Sequence, residues 1–279
     1  MKATKLIILI ILGLGVACGW WSSPEESRPS SSPLATPVGT FFSPPATPIP
    51  AQGQPGEVAW NPDPAAVIIS ASFCCGFVPE VVRLNYLADA TVWGNGRIIW
   101  TEYAGQERQV WQGQLSPEQL RALLSQAQQA GFFNWEDRYA DNTVADAAEK
   151  CLSIRLLDQS KQVCEYFKGA PEAFHQLYAL VTAGAGANGA PYLPQRAYLT
   201  ALPLPGGGSG FVADEQWSAQ TMGFSLSQAT AGRWVEGPAL QSAWQRVNRK
   251  WSNPLVQEES AYFQIALQLP GLSLLEPPQ

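Results

Sequence analysis

The sequence predicts an α+β fold: an antiparallel sheet with helices packed on one face, plus a second small α+β module. Three observations predict it. Residues 90–100 read strand, turn, strand about Gly94-Asn95-Gly96, whose Asn-Gly pair tolerates the positive φ angles of a tight hairpin. Residues 116–131 carry the punctuation of a helix, and residues 151–167 read as a second strand pair followed by a Pro-initiated helix. Hairpin, helix, hairpin, helix is the order expected of an antiparallel sheet covered on one face.

The chain opens with a targeting pattern. Lys2 and Lys5 precede an uncharged apolar run over residues 6–16, too short to span a bilayer comfortably at about 20 residues. The run ends at Gly15-Val16-Ala17-Cys18, which resembles the lipobox of bacterial lipoproteins, with Gly15 standing where Leu or Val is usual. Residues 1–17 are therefore read as a lipoprotein signal peptide and Cys18 as the lipidation site, carrying diacylglycerol and an N-linked acyl chain such as palmitate. An ordinary secretory signal with an incidental Cys18 is the alternative. Either reading exports the rest of the chain, and the first places it at the extracytoplasmic face of a cell membrane, where two or three acyl chains suffice for stable attachment.

Residues 18–65 read as a tether. Eleven of the 23 prolines fall between Ser22 and Ala65, among many Ser, Thr and Ala, too little apolar surface to offset ordering entropy. Trp20 and Trp21 suit a headgroup level, and Phe41-Phe42 is an apolar island.

Residues 66–184 form the predicted α+β domain. Residues 66–73 are apolar enough for a central strand, Cys74-Cys75-Gly76-Phe77-Val78-Pro79 is a loop, and residues 81–87 lead into the first hairpin. Ser116 suits the N-cap of the next helix, Pro117 its first position, and Gln119 completes a capping box. Leu120, Leu123, Leu124 and Ala127 supply its apolar stripe and Gly131 its end. Residues 131–139 are aromatic-rich, and residues 141–150 are polar and loop-like. The second strand pair, 151–157 and 162–167, places Leu152, Ile154 and Leu156 on one face, and a helix from Pro171 turns Phe174, Leu177, Tyr178 and Val181 inward.

The order Gly76 to Pro79, Trp93 to Ile99, Leu115 to Leu124, Gly131 to Phe133, Asp137 and Tyr139 resembles an uncharacterised domain family of bacterial lipoproteins, over about residues 68–184. The resemblance implies an extracytoplasmic, lipid-anchored protein and brings no catalytic residue with it.

Residues 191–275 form the second module. Residues 233–237 read as a short strand, and Leu240, Ala243, Trp244, Val247 and Trp251 repeat at helical spacing. Residues 261–269 read as the last strand. Gly206-Gly207-Gly208-Ser209-Gly210 lacks the Lys-Ser/Thr of a phosphate-binding loop and reads as a plain loop.

Charge and motifs narrow the chemistry. Net charge is −6, and losing Lys2 and Lys5 leaves 15 basic against 23 acidic residues, net −8, with no footprint for nucleic acid. Arg246, Arg249 and Lys250 read as a solvated helical face. Cys74, Cys75, Cys151 and Cys164 are disulfide candidates in an exported chain. A vicinal bridge strains its peptide unit, and a turn centred on Gln159-Ser160 leaves Cys151 four residues out of register with Cys164. Pairing of Cys74 and Cys75 with the distant two is therefore favoured over a zinc site, for which Cys-x-x-Cys spacing and a nearby His are missing. No cofactor or metal is expected: Asp137, Asp141, Asp146 and Glu149 lack EF-hand spacing. The only His, His175, has no Gly-x-Ser-x-Gly turn to work with and reads as a partly exposed helical residue.

Eleven Trp residues are the most suggestive excess, with Trp93, Trp100 and Trp111 around the first hairpin as ligand-binding candidates. The expectation is a non-enzymatic binding module for an envelope glycan or protein. The alternative is a carboxylate-based hydrolase of cell-wall or extracellular glycan, drawing two acids about 5–9 Å apart from Glu102, Glu107, Glu136 and Asp137.

Overall fold

The computed structural model describes residues 58–141, 143–205, 213 and 215–278. Cys18, the signal segment, most of the tether and the glycine loop lie outside the described residues. Eight strands form the first sheet: β1 (Val67–Cys74), β2 (Ala90–Trp93), β3 (Arg97–Ala104), β4 (Glu107–Gln114), β5 (Arg138–Ala140), β6 (Glu149–Arg155), β7 (Ser160–Tyr166) and β8 (Ala190–Pro191). Their order is β5-β7-β6-β1-β2-β3-β4-β8, antiparallel throughout except for β5 beside β7. Between them run α1 (Glu80–Asn85), α2 (Pro117–Gln129) and α3 (Glu172–Thr182).

The local signals act as the residue types require. Gly96, at φ +83°, donates to the Trp93 carbonyl at 2.9 Å and closes the β2–β3 turn. A Cβ there would stand 2.3 Å from the Leu115 carbonyl oxygen, so only glycine fits. At the head of α2, Ser116 Oγ accepts from Gln119 N at 3.2 Å while Gln119 Oε1 accepts from Ser116 N at 2.8 Å. The stripe of α2 (Leu120, Leu123, Leu124, Ala127) and that of α3 (Phe174, Leu177, Tyr178, Val181) bury against Ile69, Val92, Ile98, Trp100, Leu152 and Ile154 of the sheet. Each such side chain contributes about 1.5–3 kcal/mol when fully buried. Val58 and Trp60, placed by composition in the tether, also join this core, and Trp60 Nε1 donates to the Gly94 carbonyl at 2.9 Å.

The second sheet contains β9 (Ala197–Pro203), β10 (Glu215–Gln216), β11 (Arg233–Val235), β12 (Leu255–Glu258) and β13 (Ala261–Gln268), in the order β10-β12-β13-β9-β11. Helices α4 (Ala219–Met222) and α5 (Gly237–Arg249) lie in the connections. The fold is α+β with two sheets. A single apolar cluster joins Trp93, Ile99 and Val110, from the opposite face of the first sheet, to Leu199 and Ile265 of the second and to Leu240, Trp244 and Val247 of α5. The described residues thus belong to one compact unit.

Three local expectations change. The lead-in after Pro79 is the helix α1, because Val82 N and Arg83 N both bond the Pro79 carbonyl and Val81 and Val82 bury against Ala266. The β6–β7 turn falls two residues earlier than expected: Leu156 N bonds the Gln159 carbonyl at 2.8 Å, so Cys151 stands opposite Cys164. The disulfides are accordingly Cys151–Cys164, with Cα atoms 4.1 Å apart, and Cys74–Cys75, not bridges between the two pairs. The arginines of α5 also serve a structural purpose, although Arg249 stays exposed. Arg246 Nε lies 2.7 Å from Glu215 Oε2 and Arg249 bonds the other oxygen of Glu215, so together they hold β10.

Candidate functional site

One end of the first sheet departs from an ordinary polar surface. Across it Cys74 of β1, Glu149 of β6, Tyr166 of β7 and Ala140 of β5 stand in one row. The chain leaves this row through Cys74–Phe77, through residues 141–148 and through Phe167–Ala170. Phe77 is 94% exposed there, Phe167 55% and Phe73 51%. Solvated aromatics gathered on one edge are the usual mark of a contact surface.

The connections at this end include residues in sparsely populated backbone conformations. Cys75 (φ 80°), Asp146 (φ 57°) and Phe167 (φ 71°) are three of the five non-glycine residues with positive φ among the described residues. Left-handed backbone costs on the order of 1–2 kcal/mol at a non-glycine residue and clusters where structure overrides local preference for a functional reason. Gly76 lies so close to the 141–148 connection that a Cβ would stand 2.8 Å from the Asp146 carbonyl oxygen. That connection is itself pinned: Ala147 N donates to Tyr166 Oη at 3.0 Å, and Lys168 Nζ lies 3.0 Å from Asp141 Oδ2. The Thr143 hydroxyl and amide, aided by Lys168, hold the Asp141 carboxyl down to about 2.

Beneath the aromatic end, on the face covered by α3, lies a polar band. Phe73, Lys150 and Glu165 are neighbours across three strands. The Lys150 ammonium lies 5.2 Å from the centre of the Tyr178 ring, and the Tyr178 hydroxyl donates to Asp89. Glu165 Oε1 accepts from Ala170 N at 3.0 Å and lies 3.4 Å from His175 Nε2. Burial pushes the Asp89 carboxyl up to about 6, against the opposing effects of the Tyr178 bond and Lys150.

This shift fixes a pH response. The unfolded carboxyl titrates near 3.8 and the folded one near 6, so between those values the folded state holds the proton more tightly. The stability linked to that proton is complete below the unfolded value and is lost as pH rises through the folded one. Urea midpoints measured from pH 4 to pH 7 should therefore decline in the parent relative to Asp89→Asn, and parallel curves would refute this account of Asp89.

The residues nominated from sequence sit elsewhere. Trp93 is buried in the second core, with the Arg97 guanidinium 4.5 Å from the centre of its ring. Trp100 is buried in the first core, and Trp111, its partner across β3 and β4, packs half-buried against the same core. Trp93 and Trp100 fill the interior, and Trp111 is only partly buried. The four nominated acids fall into two groups, Glu102 and Glu107 on the exposed β3–β4 hairpin and Glu136 and Asp137 next to β5. Strands β3 and β5 are five spacings apart, roughly 24 Å, so no glycosidase pair can be drawn from one member of each group. Of the acids that lack EF-hand spacing, Asp137 is engaged by Lys161, Asp141 by Lys168 and Glu149 by Arg138. Glu149 also approaches Cys151 and Cys164, but those sulfurs are bonded to each other and offer no thiolate.

Val67, Ile68, Ser70, Ser153, Arg155 and Gln162 contribute to the lining of an open groove of about 370 Å³ with mixed polar and apolar walls. Sequence reasoning missed the aromatic end, although Phe73 and Phe77 flank the Cys-Cys pair. Two large apolar residues next to a Cys-Cys-Gly turn were the available signal.

Comparison with known proteins finds a domain of unknown function, DUF6438, over residues 65–183, which takes in the first sheet as far as β7 together with α1, α2 and α3. No curated protein and no solved structure matches the chain.

Proposed function

We propose that the chain is an exported, lipid-anchored and non-enzymatic binding protein of the cell envelope, attached to the membrane through Cys18, with the aromatic end of its first sheet as the contact surface. The observation that carries the binding reading is the exposure of Phe73, Phe77 and Phe167 toward one end of the first sheet, where the Lys168–Asp141 pair and the Ala147–Tyr166 bond hold the neighbouring connection. Solvated phenyl rings shed water on docking, which favours them as anchors for a partner. The basic and apolar start of the sequence ending at Cys18 supports the anchor, and two disulfides suit an oxidising compartment. The partner class is an envelope glycan or protein.

The test compares the mature chain with Phe77→Ser in co-sedimentation with peptidoglycan and envelope polysaccharide, and in cross-linking within intact envelopes. Burying one phenyl is worth about 1.5–3 kcal/mol, so binding should weaken roughly ten- to a hundredfold while the urea midpoint stays unchanged. A Phe77→Ser protein that binds like the parent would overturn the assignment of this surface. Release of reducing sugar in the same tubes would overturn the non-enzymatic reading, and a Cys18→Ser chain that stays with the membrane would overturn the anchor.

A further inference from the structure

The two disulfides differ in what they can do. Cys151–Cys164 spans 13 residues and ties β6 to β7 in register. Cys74–Cys75 joins sequence neighbours, so it links no two elements and closes no chain loop whose entropy would stabilise the fold. A structural cross-link is already supplied by the first, and the second needs another explanation.

Its placement provides one. Cys75 is exposed, Cys74 is half-buried, and the solvated rings of Phe73 and Phe77 flank the pair. Thiol–disulfide exchange requires a thiolate to reach one sulfur, so access decides which bridge reacts. The backbone adds a driving force. Cys75 sits at φ +80° and Gly76 at φ +77°, and opening the bridge lets the non-glycine Cys75 leave the left-handed region. The thiols of Cys151 and Cys164 would by contrast stay opposed on paired strands, which favours reclosure.

We infer that Cys74–Cys75 is a thiol–disulfide exchange site that accepts two electrons from a protein dithiol docked on Phe73 and Phe77. A thiolate of the partner attacks Sγ of Cys75, forming a mixed disulfide, while the Cys74–Cys75 bond breaks and Cys74 leaves as a thiolate that takes a proton from solvent. The partner's second thiolate attacks its own sulfur in the mixed disulfide and releases Cys75. The partner ends as a disulfide, and Cys74 and Cys75 end as two thiols. This step goes beyond the binding reading and depends on it only for docking.

The experiment incubates the mature, oxidised protein with graded ratios of reduced to oxidised glutathione, quenches with acid, alkylates and locates the free thiols by peptide mass spectrometry. Cys74–Cys75 should open at a ratio at least tenfold lower than Cys151–Cys164, with the far-ultraviolet circular dichroism unchanged. In Cys74→Ser, Cys75 should accumulate a glutathione adduct. Opening of both bridges together, earlier opening of Cys151–Cys164, or a Cys74→Ser chain without adduct would each overturn the proposal. Phe77→Ser should keep the glutathione midpoint, so failure of the binding reading leaves this result untouched.

Discussion

Replacing Asn85 with leucine should remove roughly 3–5 kcal/mol of stability, among the largest effects of any substitution outside the apolar cores. Asn85 ends α1 and is fully buried. Its Nδ2 donates to the Ile265 carbonyl at 3.2 Å and its Oδ1 accepts from Leu267 N at 2.9 Å, so one side chain pairs with two backbone groups of β13. The Asn85 carbonyl in turn accepts from Arg108 Nη1 at 2.6 Å, and Arg108 Nε donates to Asn248 Oδ1 at 2.8 Å. This chain of bonds runs from the first sheet to α5 and the second sheet. Leucine keeps the branched heavy-atom skeleton but is bulkier, so the loss combines some overpacking with a backbone donor and acceptor stranded in the interior, about 1–3 kcal/mol each. Urea unfolding measures it, and a change below about 1 kcal/mol would show that the network is not a main tie between the sheets.

Trp100→Ala should cost a further class of energy, about 3–5 kcal/mol, by opening a cavity in the first core. The ring is close-packed against two glycines: a Cβ on Gly184 would stand 2.9 Å from it and one on Gly189 2.7 Å. Neither neighbour has a side chain that could turn inward to fill the space. Trp100→Phe should recover about half of the loss. If Trp100→Ala instead weakened partner binding with its urea midpoint intact, the ring would be a contact residue and its burial role would be refuted.

Much of the frame was legible because it depends on neighbours in sequence. The Gly94-Asn95-Gly96 turn, the Ser116/Gln119 box and the stripes of α2 and α3 are local chemistry read at short range. Helix α1 escaped because six residues are too few to show a period, and only Pro79 marks its start. The β3–β4 hairpin escaped because Gly105 offers a weaker turn signal and its tip is polar. The cysteine pairing turned on whether a turn centres on Leu157-Asp158 or two residues later, which alternation of apolar residues alone does not decide. The site was less legible still. Asp89 owes its raised carboxyl to burial and meets Tyr178, 89 residues away, only in the fold, and the excess of tryptophan says nothing about which rings reach solvent. Phe77, in a loop that reads as mere connection, stands outermost.

The sheets end in very short strands. Three-residue β5 and two-residue β8 close the first, and two-residue β10 and three-residue β11 close the second. Pro191 in β8 lacks an N–H, and β10 is held down by two arginines of α5. Exposed ladder groups on such brief edges give another chain almost no template for strand addition. Copies that meet edge to edge at high concentration can therefore collide without polymerising through their strands.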